Sequence, residues 1–257
     1  SLTMFSWQRV FEYFPQIIAK FPVTLEIVLV SFAAGILLGT VVALVRIKKV
    51  PVLSQIATVY ISYVRCTPVI CQMFVIYFGI PALVSALGGN TSGVDNIVYV
   101  LIAYGINMGG FMGETIRASI LAVPAAQSEA GWTVGLTNTQ TMVHIIAPQA
   151  LRVALPMLGN TFISLFQATA LAYMVGVLDM VGKARSLGTI SGHTLEGYIC
   201  CAAVFAVISL VLERVFALVN RKLDFGHSAN TPLPQKPKFF AFGFKGHAKE
   251  KERREPA

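Results

Sequence analysis

The sequence predicts an all-α, polytopic membrane protein with five transmembrane helices, and three observations carry that prediction. Of its 257 residues 55% are hydrophobic and only 12% are charged, with a mean hydropathy of +0.69; soluble domains carry about 25% charged residues. Several windows of roughly 20–25 residues hold almost no charge, enough to cross ~30 Å of hydrocarbon as helix. Backbone groups in lipid have no water to bond, so each run must satisfy its own N–H and C=O groups, which selects helix over any open strand.

The elements follow in order. Residues 1–21 are an amphipathic prelude in which Phe5, Trp7, Val10, Phe11, Phe14, Ile17 and Ile18 recur at roughly helical spacing, the pattern of a helix lying in the headgroup plane. The first span, 22–45, is followed by Arg46, Lys48 and Lys49 rather than by a small-residue cleavage site. It is also too long for a signal-peptide core, so it is expected to stay as a membrane helix. Further spans are expected at 54–80, 94–118, 145–176 and 197–220. The fourth exceeds one crossing and either projects beyond the bilayer or breaks at Pro156. Residues 22–222 thus make one membrane domain, without tandem or inverted repeat. A basic tail, 223–257, lies near anionic headgroups or is a solvated end.

Charge sets the expected orientation. The net charge is +8, and half of the 20 Lys and Arg residues lie from Arg214 onward. Arg46, Lys48, Lys49, Arg117, Arg152, Arg221, Lys222 and the tail outweigh Arg9, Lys20, Lys183 and Arg185. The positive-inside bias then puts the N-terminus outside and the C-terminus in the cytoplasm. Charge so dispersed excludes a nucleic-acid face. Cys66, Cys71, Cys200 and Cys201 form no C-x-x-C pair and are expected as small buried hydrophobes. His144, His193, His227 and His247 form no clustered metal set, and no catalytic or metal residue is assigned.

One polar stretch, 124–148, interrupts the apolar pattern between the third and fourth spans. Pro124 suits a helical first turn, residues 125–134 have room for two to three turns, and Gly135 is a natural stop because glycine accepts the left-handed conformation. Thr137-Asn138-Thr139-Gln140 fits a capping box that opens the next helix. The stretch therefore spells a short helix, a sharp turn and a second helix at the cytoplasmic surface. Ala130 and Gly131 offer little bulk there, and Glu129 offers a charge to fix register.

The order Glu129-Ala130-Gly131, Gly135, Ile145 and Pro148 resembles the EAA loop of ABC-transporter permeases. Other blocks extend the likeness over about residues 22–222. Arg65-Cys66-Thr67-Pro68, Gln72-Met73-Phe74 and Tyr77-Phe78-Gly79-Ile80-Pro81 are similar to the polar amino-acid uptake branch, as are Pro148-Gln149-Ala150-Leu151-Arg152, Ala154-Leu155-Pro156 and Asn160 to Leu165. Histidine, glutamine, arginine and cystine permeases belong to that branch.

The resemblance implies the type I ABC importer permease fold, with 124–148 as a coupling helix and loop. It implies docking on an ABC ATPase subunit through Ser128, Glu129, Ala130, Gly131, Gly135, Leu136 and Thr137. A second permease subunit, identical or not, and an extracytoplasmic amino-acid-binding protein are the other implied partners, in a bacterial plasma (inner) membrane. No cofactor is expected in this chain, and ATP and Mg belong to the partner ATPase. Three positions depart from the branch. Gly131 stands where alanine is usual, Cys66 replaces a glycine, and Gln167-Ala168-Thr169-Ala170-Leu171 replaces Lys-Asp-Thr-Ser-Leu.

Polar side chains inside spans are costly in hydrocarbon and face a bundle interior or a watery path. Substrate-pathway candidates are Glu26, Arg65, Thr67, Gln72, Asn107, Glu114, Asn160, Gln167 and Thr169. Glu114 is as well placed to pair with Arg117 one turn on, and Arg65 to snorkel or brace a neighbour. Gly35-x-x-x-Gly39 and Gly109-x-x-x-Gly113 permit close helix approach, either within the chain or across a dimer. The absence of a phosphate-cradling Gly-x-x-x-x-Gly-Lys-Ser/Thr loop means that ATP must act through a partner. The rival reading, an ion-coupled secondary amino-acid carrier, needs no partner and leaves the EAA-like loop without a task.

Overall fold

The computed structural model describes residues 5–223. The described residues contain helices and no strand. They are α1 (Trp7–Ile18), α2 (Phe21–Ile47), α3 (Leu53–Cys66), α4 (Val69–Ala86), α5 (Asn96–Leu121), α6 (Ala125–Thr133), α7 (Asn138–Thr141), α8 (Ala147–Ala168), α9 (Met180–Ser191) and α10 (Thr194–Leu223). Five stretches are long and apolar enough to cross a membrane: α2, α4, α5, the run Asn138–Val175, and α10. The expected basic tail lies outside the described residues beyond Leu223.

Helix α5 is the axle of the bundle, packing against α2, α3, α4 and α8. Its closest partner is α2, and glycines explain why. A Cβ on Gly35 would sit 2.5 Å from the Met108 Cβ, and one on Gly39 would sit 2.8 Å from the Gly113 backbone N. Close backbone approach of this kind replaces the hydrophobic drive that lipid does not supply. Both glycine motifs are therefore used within the chain.

The second expected span is not one rod. Thr67 is extended (φ −113°, ψ 140°), and α4 restarts after Pro68. Proline excludes the helical conformation from the residue before it, so Thr67-Pro68 ends α3 despite the unbroken apolar run. The fourth span behaves oppositely. It runs through Pro156, begins with a π-helical turn at Met142–Ile146, and tightens to 3₁₀ at Thr169–Val175 before Gly176 (φ +85°) stops it. Of its two expected options, a break at Pro156 is not realised.

Helix α1 presents two apolar sides. Tyr13 and Ile17 are buried, while Trp7, Phe11 and Phe14 stay exposed. It packs on α9 and α10, where Tyr13 bonds Ser191 and the Ser6 N–H donates to Glu196 (3.0 Å). His193 Nδ1 meets the same carboxylate at 2.8 Å. Cys200 and Cys201 are buried as expected; Cys66 and Cys71, on either side of the α3–α4 break, are instead exposed.

Candidate functional site: a cytoplasmic-type docking helix and a polar path

Helix α6 stands beyond the end of α5, starts after Pro124 without a side-chain cap, and is closed at its C-terminal end. Pro124 is the residue before the first turn (φ −57°, ψ 138°) rather than within it. At the other end, the Gly135 N–H donates to Trp132 O (2.9 Å) and the Leu136 N–H to Gly131 O (3.0 Å). That pair of bonds is the Schellman closure, and it requires the left-handed Gly135 (φ +84°). Thr137 then opens α7 with the expected capping box, accepting from the Gln140 N–H and donating its own N–H to Gln140 Oε1 (2.9 Å).

The side chains of this loop divide into two faces. Gly131 is buried and turned inward, where a Cβ would meet Thr141 Cγ2 at 2.8 Å and Ile145 Cδ1 at 3.1 Å. Its small size thus serves packing within the chain. Glu129, Ala130, Gly135 and Thr137 are exposed, and Ser128 and Leu136 are half-buried. Between them, Trp132 (53% exposed) and Val134 (75% exposed) form an apolar patch. Neither was singled out in the sequence; an aromatic in an otherwise polar helix was the available signal.

About two turns before the end of α5, Glu114 bridges two helices. It bonds Arg46 at the end of α2 and Arg117 one turn ahead on α5. The i,i+3 pairing is present, joined by a second cation from α2.

The remaining candidates separate into satisfied and open groups. Gln72 is buried and donates to Val64 O (3.1 Å), Thr67 O (3.1 Å) and Thr67 Oγ1 (2.7 Å), capping the broken end of α3. Asn107 donates to Gln72 Oε1 at 3.0 Å, and buried Thr169 donates to Phe166 O at 2.6 Å. Glu26, Arg65 and Asn160 are exposed and make no hydrogen bond or ion pair among the described residues. Gln167 is exposed and touches only Ser209 on α10, at 3.4 Å.

Outside the spans, Asp179 caps α9 by accepting the Gly182 N–H (2.8 Å), yet it is fully buried and its Oδ2 has no partner. Burial pushes its carboxyl up to about 6, against the opposing pull of that N–H. Tyr104 and Cys201 are the titratable groups that feel its charge. The fold therefore prefers the neutral acid. Its contribution is complete below about pH 4 and declines by up to about 3 kcal/mol as pH rises through 6. Asp179→Asn, which keeps a capping oxygen, is expected to lack this decline in thermal-unfolding curves taken from pH 4 to 7. Parallel curves for variant and wild type would refute the assignment.

These features define a multi-pass helical membrane protein with a short exposed helix between two of its spans. The chain belongs to the family of binding-protein-dependent transport system inner membrane components, which matches residues 35–225; it is a permease of an ABC importer. It is similar to the L-cystine transport system permease protein TcyL of Bacillus subtilis (36% identical, covering 85% of this chain and 92% of that one). TcyB of the same organism is 38% identical, covering 78% and 83%. The crystal structure of an amino acid ABC transporter with histidines superposes with a TM-score of 0.76 at 28% identity, covering 86% of this chain and 100% of that chain.

Proposed function

We propose that this chain is the permease subunit of an ATP-driven importer that takes up a polar amino acid, cystine-like ones included, handed over by an extracytoplasmic binding protein. The observation that carries the reading is α6: a short helix closed at its C-terminal end by the Gly135 turn, presenting Glu129, Ala130, Trp132 and Val134 outward. Such a helix transmits force, where a loose loop would absorb it. The names of the relatives support the substrate class, two of them being cystine permeases.

The ends of α2 and α5 meet at Glu114, and α10 runs antiparallel to α8, so Arg46, Lys48, Lys49, Arg117, Arg152, Arg221 and Lys222 gather at the α6 end. That charge distribution supports a cytoplasmic α6 and an outward N-terminus. An ABC ATPase subunit docks on α6, and a second permease subunit completes the path. ATP and Mg sit on the ATPase, whose closure draws the docking helices together and opens the path outward.

Trp132→Ala is expected to weaken capture of the co-expressed ATPase about tenfold or more, the range of a central aromatic anchor. Wild-type co-purification and wild-type substrate-stimulated hydrolysis by this variant would reject α6 as the docking element.

A further inference from the structure

Helix α10 leaves its surface uncovered: 6% of its apolar window is buried, against 61% for α5. Most of that surface is apolar, including Val207, Leu210, Val211 and Leu218, and suits lipid or a partner helix. One strip does not. Glu213 is exposed one turn beyond Ser209, whose hydroxyl accepts the weak bond from Gln167. Ser164 and Asn160 continue the strip down the exposed side of α8, at helical spacing from Gln167. Glu213 makes no hydrogen bond or ion pair among the described residues. Arg214 follows it in the chain, about 100° further round the helix, and the pair interrupts the apolar part of α10.

A carboxylate and four neutral polar groups on one open face are costly against hydrocarbon and mark a watery path. The other intramembrane acids differ in kind: Glu114 and Glu196 are paired, and Glu26 lies in the first turns of α2. We infer that Glu213 is a specificity-determining residue of the translocation path, accepting the ammonium group of the amino acid while the Gln167 and Asn160 amides donate to its carboxylate. The inference rests on the reading of the chain as an amino-acid permease. An ionised carboxylate only accepts, and its bonds from an ammonium are charge-assisted. Arg214 lies on the adjoining face of α10, while across the strip Glu213 faces only neutral amides and hydroxyls, so a solute that lacks the ammonium gains nothing from it.

The permease–ATPase complex, reconstituted in vesicles with its binding protein, provides the test, with labelled L-cystine and L-glutamine as probes. Glu213→Gln is expected to raise the half-saturating concentration about tenfold, as loss of a matched polar contact does, while Glu213→Asp stays within about threefold. Basal ATP hydrolysis is expected to match wild type in both. Direct binding to the complex without the binding protein is expected to show the same loss, and the deaminated carboxylic acid competes poorly with wild type but evenly with Glu213→Gln. Wild-type uptake and binding by Glu213→Gln would overturn this assignment alone, as would loss of complex assembly, which would make Glu213 a contact between subunits. A wild-type complex that moves neither probe would overturn the permease reading beneath it.

Discussion

Gly39→Val is expected to lower the unfolding temperature of the permease by about 10 °C and to cut its yield of monodisperse protein. A Cβ at this position would lie 2.8 Å from the Gly113 backbone N and 2.9 Å from the Met112 Cβ. The backbone atom cannot rotate away, so α2 and α5 must separate along their length and forfeit the contact that centres the bundle. Overpacking of a tight core costs about 1–3 kcal/mol, and occasionally more. In a domain of this size 3 kcal/mol lowers Tm by about 10 °C. Thermal unfolding in detergent and the yield of monodisperse protein measure the effect. Gly79→Ala supplies the contrast: nothing lies within 4 Å of the added Cβ in α4, and alanine is the better helix former by about 1 kcal/mol. Equal behaviour of the two variants would mean that the glycines do not set the α2–α5 distance.

Gly135→Val is expected to act on transmission rather than on folding. The space around Gly135 is open, and the penalty lies in its φ of +84°. Left-handed backbone costs an L-residue roughly 1–2 kcal/mol, more for a β-branched one. The turn would relax to another conformation and lose the bonds from Gly135 to Trp132 and from Leu136 to Gly131. Helix α6 would then fray at its exposed end, leaving hydrolysis by the assembled ATPase unlinked to substrate, while unfolding temperature stays near wild type. Asparagine tolerates the left-handed region, so Gly135→Asn should retain most transport. If the valine variant transports at the wild-type rate, stiffness of this turn is not what passes the stroke.

Much of this could be read from residue order alone. The five apolar runs, Thr137 with Gln140, and Gly135 each obey a local rule, and tertiary contacts had no reason to override it. The misses have local or tertiary causes. Thr67-Pro68 carried a clear stop signal that an unbroken apolar run concealed, whereas Pro156 was tolerated within its helix. The inward turn of Gly131 depends on where Thr141 and Ile145 come to lie, which spacing does not state. Satisfaction of Gln72 and Asn107 by each other needs two helices placed side by side. Glu213 sits beside Arg214 in a stretch whose hydropathy stays high enough to hide both charges.

The interruption between α3 and α4 makes that crossing an articulated strut. Its inner half is pinned to the axle where the Tyr60 hydroxyl donates to Ile106 O, and its outer half joins through one extended residue and the Gln72 amide. Three bonds from a single side chain act as a detent at this knee. Bending at this knee turns on Thr67 and the Gln72 amide, with α4 held to α5 by the Asn107–Gln72 bond as well, and neither helix has to unwind for it.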